Sequence, residues 1–463
     1  MELVLKTSGQ QCLVGSNPTP SAHDHHDWNE RNRVNQDLRH SSRRAAKNPS
    51  VARHGRLKTH SAWSTVAKVA ASVVAVTLIS GSAVAAYAAW DLASTVQPTV
   101  KLESEKVLEG VPDVGAIEGG VNLLLIGSDS RQGQGEGFGD PDEETAVLND
   151  VTMLMHIAQD HSHASVVSFP RDMLVDVPAC TDPEDPSSTL DELYDVKINS
   201  VLSYGGMDCV AKTIEQLTGV TIPFAGIVQF MGVAGLSEAV GGVDVCVAEP
   251  IEDEYTGTFL DPGTHSLSGV AALQFLRTRH GVGDGSDLGR ISNQQVFLSA
   301  LARKLQSDGT LGDPVKLYSI AKAALANMQL SSSLTDPTRM ISIAKAMKDI
   351  DLAKLAFIQY PTAYVAGGGA VAPNASAELI NEALQADLPV TFDPNAQNND
   401  FGSAADPAAQ PPAEAPAEEA PAEEAPPADP AAPAPTAEAL PEDVAGQTGA
   451  DVRCSAGRSL DDQ

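Results

Sequence analysis

The chain has 463 residues and a formal net charge of -31, which excludes a general nucleic-acid binder, because such proteins need a basic surface to displace phosphate counterions. Its five cysteines, Cys12, Cys180, Cys209, Cys246 and Cys454, include no CxxC pair, which speaks against a cysteine-type structural zinc and against a disulfide-built scaffold. Length alone allows two or three domains, but the uneven composition reduces this to one large folded domain.

In chain order, residues 1–62 show no periodic pattern and read as a disordered cytoplasmic region. Residues 63–90, WSTVAKVAASVVAVTLISGSAVAAYAAW, form an apolar run with one charge, Lys68, and aromatic residues at both ends. About 20 apolar residues suffice to cross a bilayer as a helix. The run starts too deep in the chain for an ordinary signal peptide and reads as an uncleaved signal anchor. Arg43, Arg44, Lys47, Arg53, Arg56 and Lys58 precede it, whereas Asp91, Glu103 and Glu105 follow. This asymmetry predicts a single-pass protein of the cell membrane with a cytoplasmic N-terminus and an extracellular remainder.

Residues 91–118 read as an extracellular linker and 119–392 as the folded domain. Short apolar runs predict strands at 121–126, 152–158, 165–168, 224–228, 243–247 and 355–359. Longer amphipathic stretches predict helices at 207–217, 231–240, 269–279, 291–306, 313–326 and 336–348. The alternation predicts a three-layer α/β/α sandwich on a central mixed sheet. Beyond residue 392, repeats such as PAEEAPAEEAPPADP bury too little apolar surface to offset ordering entropy, so 393–463 reads as a disordered tail. Two of Cys180, Cys209 and Cys246 either form one disulfide in an exported domain or remain buried thiols.

Four segments carry candidate chemistry. VNLLLIGSDSR at 121–131 places Asp129 and Arg131 at a strand's C-terminal end, where ligands of α/β sheets bind. The Gly-rich loop after it lacks both nucleotide-binding patterns. Asp150 stands at the start of the next apolar run, and two carboxylates from neighbouring strand ends can share a hard cation such as magnesium. SFPRD at 168–172 adds Arg171, whose planar fork suits phosphate. LQFLRTRHGVGDGSDLGRISNQQ at 273–295 adds Arg277 and Arg279 before a Gly-rich turn, then Asp287, Arg290 and Gln294 at spacings of three and four on the next helix. Three arginines around one turn, beside a helix N-terminus, call for an anionic ligand. His156, His161 and His163, with the His23, His25 and His26 cluster, read as strand, turn and tail residues without a role.

In order, GSDSR, ND-V-T, SFPRD, KIN at 197–199, GGVDV at 241–245 and LRTRH…DLGRISNQQ resemble the signature of the LytR-CpsA-Psr family over roughly residues 119–307, in its actinobacterial form. The resemblance implies a magnesium-dependent phosphotransferase that moves a glycopolymer from a polyprenyl-pyrophosphate carrier to peptidoglycan. It implies metal binding by Asp129 and Asp150. Pyrophosphate contacts fall to Arg171, Arg277, Arg279, Arg290 and Gln294, with Arg131 and Lys197 nearby and Asp287 as helper or base. One departure is Leu148, where relatives commonly carry an arginine two residues before the aspartate. The alternatives are a pyrophosphatase acting on the same carrier and a noncatalytic envelope regulator.

Overall fold

A computed structural model describes residues 62–95, 97–111, 117, 119–131, 134, 147–307, 313–392, 401–402 and 437–463. The expected cytoplasmic region and the repeats up to residue 436 lie outside these. Helix α1 (Ala62–Thr95) contains a 31-residue stretch, Ala62–Leu92, with an 18-residue window of mean hydropathy 2.0, long and apolar enough to cross a membrane. Trp63 and Trp90 near its ends are exposed. Residues through Ala75 form one unit, and Val76 onward forms a second that holds every other described element.

The second unit is built on strands β1 (Val121–Ser128), β2 (Asn149–Ile157), β3 (Ala164–Phe169), β4 (Phe224–Val228), β5 (Val243–Val247), β6 (Gly263–Leu267), β7 (Met328–Leu330), β8 (Leu355–Gln359), β9 (Gly446–Thr448) and β10 (Cys454–Ser455). Its helices are α2 (Val201–Thr218), α3 (Phe230–Ala239), α4 (Val270–Arg277), α5 (Asp287–Ser307), α6 (Pro314–Asn327), α7 (Pro337–Asp349) and α8 (Ala377–Gln385). Seven strands make one mixed sheet in the order β7-β4-β1-β2-β3-β8-β9. β1 and β4 are parallel, as are β3 and β8, while β2 runs antiparallel between β1 and β3.

Strand alternation sends Leu124, Ile126, Leu154, Val167, Ala225 and Ile358 to one face, where α2 and α8 cover them through Val210, Ile214, Ile380 and Leu384. Val121, Ile157, Ala164, Phe224 and Phe357 go to the other, against Leu325 of α6 and Ile343 and Ala346 of α7. Two apolar faces on one sheet enforce three layers, as the sequence pattern predicts. β5 and β6 form a smaller sheet with β10, packed on Phe275 and Phe297.

Three expectations need correction. Residues 97–111 are not a free linker: Leu102 and Leu108 are buried in the two cores, and Glu103 pairs with Lys212 at 2.7 Å, which holds its carboxyl down to about 2. The tail does not run to the C-terminus, because residues 437–463 contribute β9 to the edge of the central sheet and β10 to the smaller one. Two disulfides form instead of one, Cys180–Cys209 and Cys246–Cys454. Inside α2, Gly205 and Gly206 leave helical geometry. A Cβ at 205 would stand 2.5 Å from Cys209 Cβ, so the first disulfide requires glycine there.

The Cys246–Cys454 bond closes a separation of 208 residues. Cys454→Ser in the full chain is expected to lower unfolding stability by about 3 kcal/mol. Denaturant titration in detergent checks this, and an unchanged midpoint would contradict a structural role for the C-terminal segment.

Candidate active site

Because β1 and β3 are parallel to each other and β2 opposes both, the end of β1, the start of β2 and the end of β3 meet on one sheet edge. Asp129 follows β1 through a bulge at Gly127–Ser128. Its amide donates to the Leu148 carbonyl at 3.1 Å, and the Leu148 amide donates back to Asp129 Oδ1 at 2.7 Å. Position 148 therefore works through its backbone, whichever side chain it bears. Burial, then the nearby charge of Asp150, raise the Asp129 pKa above the ordinary carboxylate value, against the Leu148 amide and Arg131.

Asp150 lies within β2, and Arg171, just past β3, donates from Nη1 to its Oδ1 at 2.7 Å. The same arginine has Nε 3.6 Å from Asp172 and 3.8 Å from Asp287. Burial opposes its charge, but Asp150, Asp287 and Asp172 together outweigh that and raise its pKa. Asp287 opens α5 and binds in two directions. Its Oδ2 accepts the Arg171 backbone amide at 3.0 Å, and its Oδ1 stands 2.5 Å from Arg290 Nη2. The expected i,i+3 relation is thus realised as a buried ion pair. Arg290 also donates to the Asp150 carbonyl at 2.6 Å, joining α5 to β2.

Arg277 ends α4 exposed, with its guanidinium 4.3 Å over the Phe230 ring and no ion-pair partner within 4.0 Å among the described residues. Although the side chain as a whole is exposed, desolvation of its guanidinium by the surrounding protein depresses its pKa, with Arg131 and Arg290 adding to the effect and Asp150 and Asp129 opposing it. The proximity of Arg131 to both Asp129 and Arg277 places it in the same group.

Two expected ligands spend side-chain donors on other groups, and a third is engaged through its backbone alone. Lys197 Nζ bonds Asp172 at 2.6 Å. The Gln294 amide donates to the Leu276 carbonyl at 3.0 Å, so it holds the C-terminal turn of α4 and orients Arg277 from behind. The Arg279 amide donates to Asp253 at 3.1 Å, while its side chain makes no hydrogen bond or ion pair among the described residues.

Sequence reasoning missed Asp253. Fully buried, it accepts from the Thr278 hydroxyl and from the amides of Arg279, Tyr255 and Thr256, which outweigh its burial and lower its pKa. It fixes the exit of the chain from α4. The C-terminal segment was missed as well: the Gly283 amide donates to Ala456 and the Arg458 amide to Gly281, clamping the turn between Arg279 and Asp287. No local pattern at either place announces these contacts.

Beside this group opens a cavity of about 1050 Å³. Ser128 and Ser130 form its near wall, Val100, Leu102, Leu202, Met207 and Ile227 give it apolar surface, and the Gly205–Gly206 kink borders it.

The LytR_cpsA_psr family profile matches residues 87–386. The chain belongs to this family. Among curated relatives, the cell wall biosynthesis protein LcpA of Corynebacterium glutamicum is 30% identical over 241 residues, 46% of this chain and 45% of LcpA. The Bacillus subtilis polyisoprenyl-teichoic acid–peptidoglycan teichoic acid transferase TagT is 27% identical over 248 residues, 52% of this chain and 70% of TagT. The match therefore spans less than half of LcpA. Among solved structures, the LytR-Csp2A-Psr enzyme from Actinomyces oris superposes with a TM-score of 0.44 at 20% identity, covering 58% of this chain and 90% of that one.

Asp287→Asn removes the charge that answers two guanidinium groups, and with Asp287 9% and Arg290 6% exposed it is expected to destabilise by about 3 kcal/mol. Lys197→Met, which breaks a half-exposed pair, is expected to cost under about 1 kcal/mol. Equal losses in denaturant titrations would contradict this ordering. Because the Asp129 pKa is raised on folding, its ionisation opposes folding above the ordinary carboxylate range and is neutral well below it. Asp129→Asn should therefore melt above the parent chain at pH 7, and the difference should vanish in acid. A variant less stable at pH 7 would contradict the assigned environment.

Proposed function

We propose that the chain is a phosphotransferase that moves a glycopolymer from a polyprenyl-pyrophosphate carrier to peptidoglycan. The observation that carries this is an Arg171–Arg277–Arg290 cluster on the sheet end that also bears Asp129, whose flanking residues Ser128 and Ser130 line a large, partly apolar cavity. The cluster suits a pyrophosphate, and the cavity suits a polyprenyl chain attached to it. The names of LcpA and TagT support wall assembly as the setting.

In this reading a peptidoglycan hydroxyl attacks the glycan-proximal phosphorus. An oxygen–phosphorus bond forms, the bridging oxygen–phosphorus bond breaks, the polyprenyl phosphate leaves with the bridging oxygen, and the hydroxyl proton passes to solvent. Such transfer depends on positioning and charge stabilisation more than on a covalent nucleophile. Arg277, which has no acid partner within 4.0 Å among the described residues, is available to the phosphate oxygens. Arg171 and Arg290, held by Asp150 and Asp287, present their remaining donors from fixed positions. Asp287 is committed to Arg290 and to the Arg171 amide, so of the two roles expected for it, helper or base, it takes in this reading that of the helper that orients the arginines.

Asp129 and Asp150 fit a magnesium ion. They are close enough for Asp150 to raise the Asp129 pKa, and the Oδ2 atom of each lacks a hydrogen-bond partner among the described residues. A magnesium ion held there would neutralise phosphate charge. The basic flank before residue 62 and two disulfides support a cytoplasmic N-terminus with the folded unit outside the membrane.

The test uses full-length protein in detergent with a polyprenyl-pyrophosphate-linked glycan, peptidoglycan and magnesium. Glycan covalently joined to peptidoglycan is expected, and Arg277→Ala should reduce its rate by about 10²–10³-fold. Release of free glycan phosphate alone would assign a hydrolase, and no turnover at all would favour a noncatalytic protein. Ser203, an exposed residue of the cavity wall, supplies a test of the lipid assignment. Ser203→Trp should raise KM for a long-chain donor several-fold while leaving a short-chain donor unaffected; equal effects on both would remove the lipid from this cavity.

A further inference from the structure

The opposite edge of the central sheet holds a second polar group, about 20 Å along β2 from Asp150 at the usual rise per residue. His156 of β2 and His163 just before β3 are 1% and 2% exposed, and Asp387, which follows α8, reaches them across 231 positions of sequence. One ligand atom from each lies within 4.8 Å of the others. Gly120, at φ +83°, leaves room for this approach: a Cβ there would stand 2.5 Å from the Ile157 carbonyl oxygen and 3.0 Å from His156 Cε1.

The hydrogen bonds fix where protons can sit. Asn122 Nδ2 donates to the Thr221 carbonyl at 2.9 Å, so Asn122 Oδ1 faces His156 Nδ1 at 2.8 Å as an acceptor. His156 Nδ1 therefore carries the proton. Its Nε2 lies 2.9 Å from Asp387 Oδ1, whose partner oxygen accepts the Gln159 amide at 3.1 Å. A bare nitrogen lone pair against a carboxylate is repulsive, so a positive centre belongs between them. A proton alone would answer His156 and Asp387 but would leave His163 Nε2 buried without a hydrogen-bond partner among the described residues. A metal ion would answer all three.

We infer that His156, His163 and Asp387 form a binding site for a zinc-class divalent cation that clips the turn after α8 to the ends of β2 and β3. Two imidazoles and one carboxylate, with water as a fourth ligand, make a common zinc donor set. The outer contacts follow the usual pattern for such ligands: Asn122 on His156 Nδ1, Ser162 on His163 Nδ1 at 3.1 Å, and the Gln159 amide on Asp387. Asp387, 24% exposed, gives the ion a route to solvent.

The test is zinc titration of full-length, chelator-stripped protein in detergent, followed by elemental analysis and thermal melting. The parent chain should retain one zinc more per molecule than His163→Gln, and zinc should raise its midpoint by several degrees. Asp387→Asn should weaken that binding at least about 100-fold, whereas Asp129→Asn should keep it, which separates this site from the phosphate-binding edge. Binding by His23, His25 and His26 would persist in every variant. Equal zinc content in the parent and His163→Gln, or a zinc-independent midpoint in the parent, would overturn the assignment. Should His163→Gln fail to fold, the comparison with Asp387→Asn decides by the same two readouts.

Discussion

The Asp287 carboxylate is the point on which the active edge depends. One of its oxygens takes the backbone amide of Arg171 and the other faces Arg290, so a single side chain registers the end of β3 against the start of α5. Without it, two guanidinium groups held side by side would repel, and desolvation would add to that repulsion. With it, the arginines stand close together at fixed positions before any ligand arrives. Such preorganisation is what electrostatic stabilisation of a transferring phosphoryl group requires.

The remaining supports serve the same end from farther away. Asp253 fixes the exit from α4, and Gln294 holds the last turn of that helix. The C-terminal segment clamps the intervening turn and is itself stapled to β5 through Cys246–Cys454. Arg277 is left with an aromatic face in place of an acid. Arg277, without an ion pair among the described residues, thus stands at the end of a chain of contacts that restrict its movement.

Much of this was legible because strands and helices announce themselves by periodicity. The runs at 224–228, 243–247 and 355–359 coincide with β4, β5 and β8. The spacing of Asp287 and Arg290 put them on one helical face, where they form an ion pair. Three kinds of feature escaped. Residues 437–463 follow a Pro/Ala/Glu-rich stretch whose composition hides them, and their folding rests on a disulfide and on sheet edges far away in sequence. Gln294 and Lys197 carry suitable donors but spend them on Leu276 and Asp172, which spacing cannot reveal. The His156–Asp387 contact joins positions too distant for any local motif. Leu148 shows the converse case, because a departure from the family pattern at the side chain leaves the backbone bonds to Asp129 intact.

The most direct measurement follows the fate of one phosphorus atom. A polyprenyl-pyrophosphate donor carrying radioactive phosphorus only at the position next to the sugar is incubated with the full-length protein, magnesium and peptidoglycan. Attack at that phosphorus, beside the Arg171–Arg277–Arg290 cluster, predicts that the label enters peptidoglycan while the released lipid phosphate is unlabelled. Label recovered in the lipid product would mean that a different bond is broken and would contradict the account.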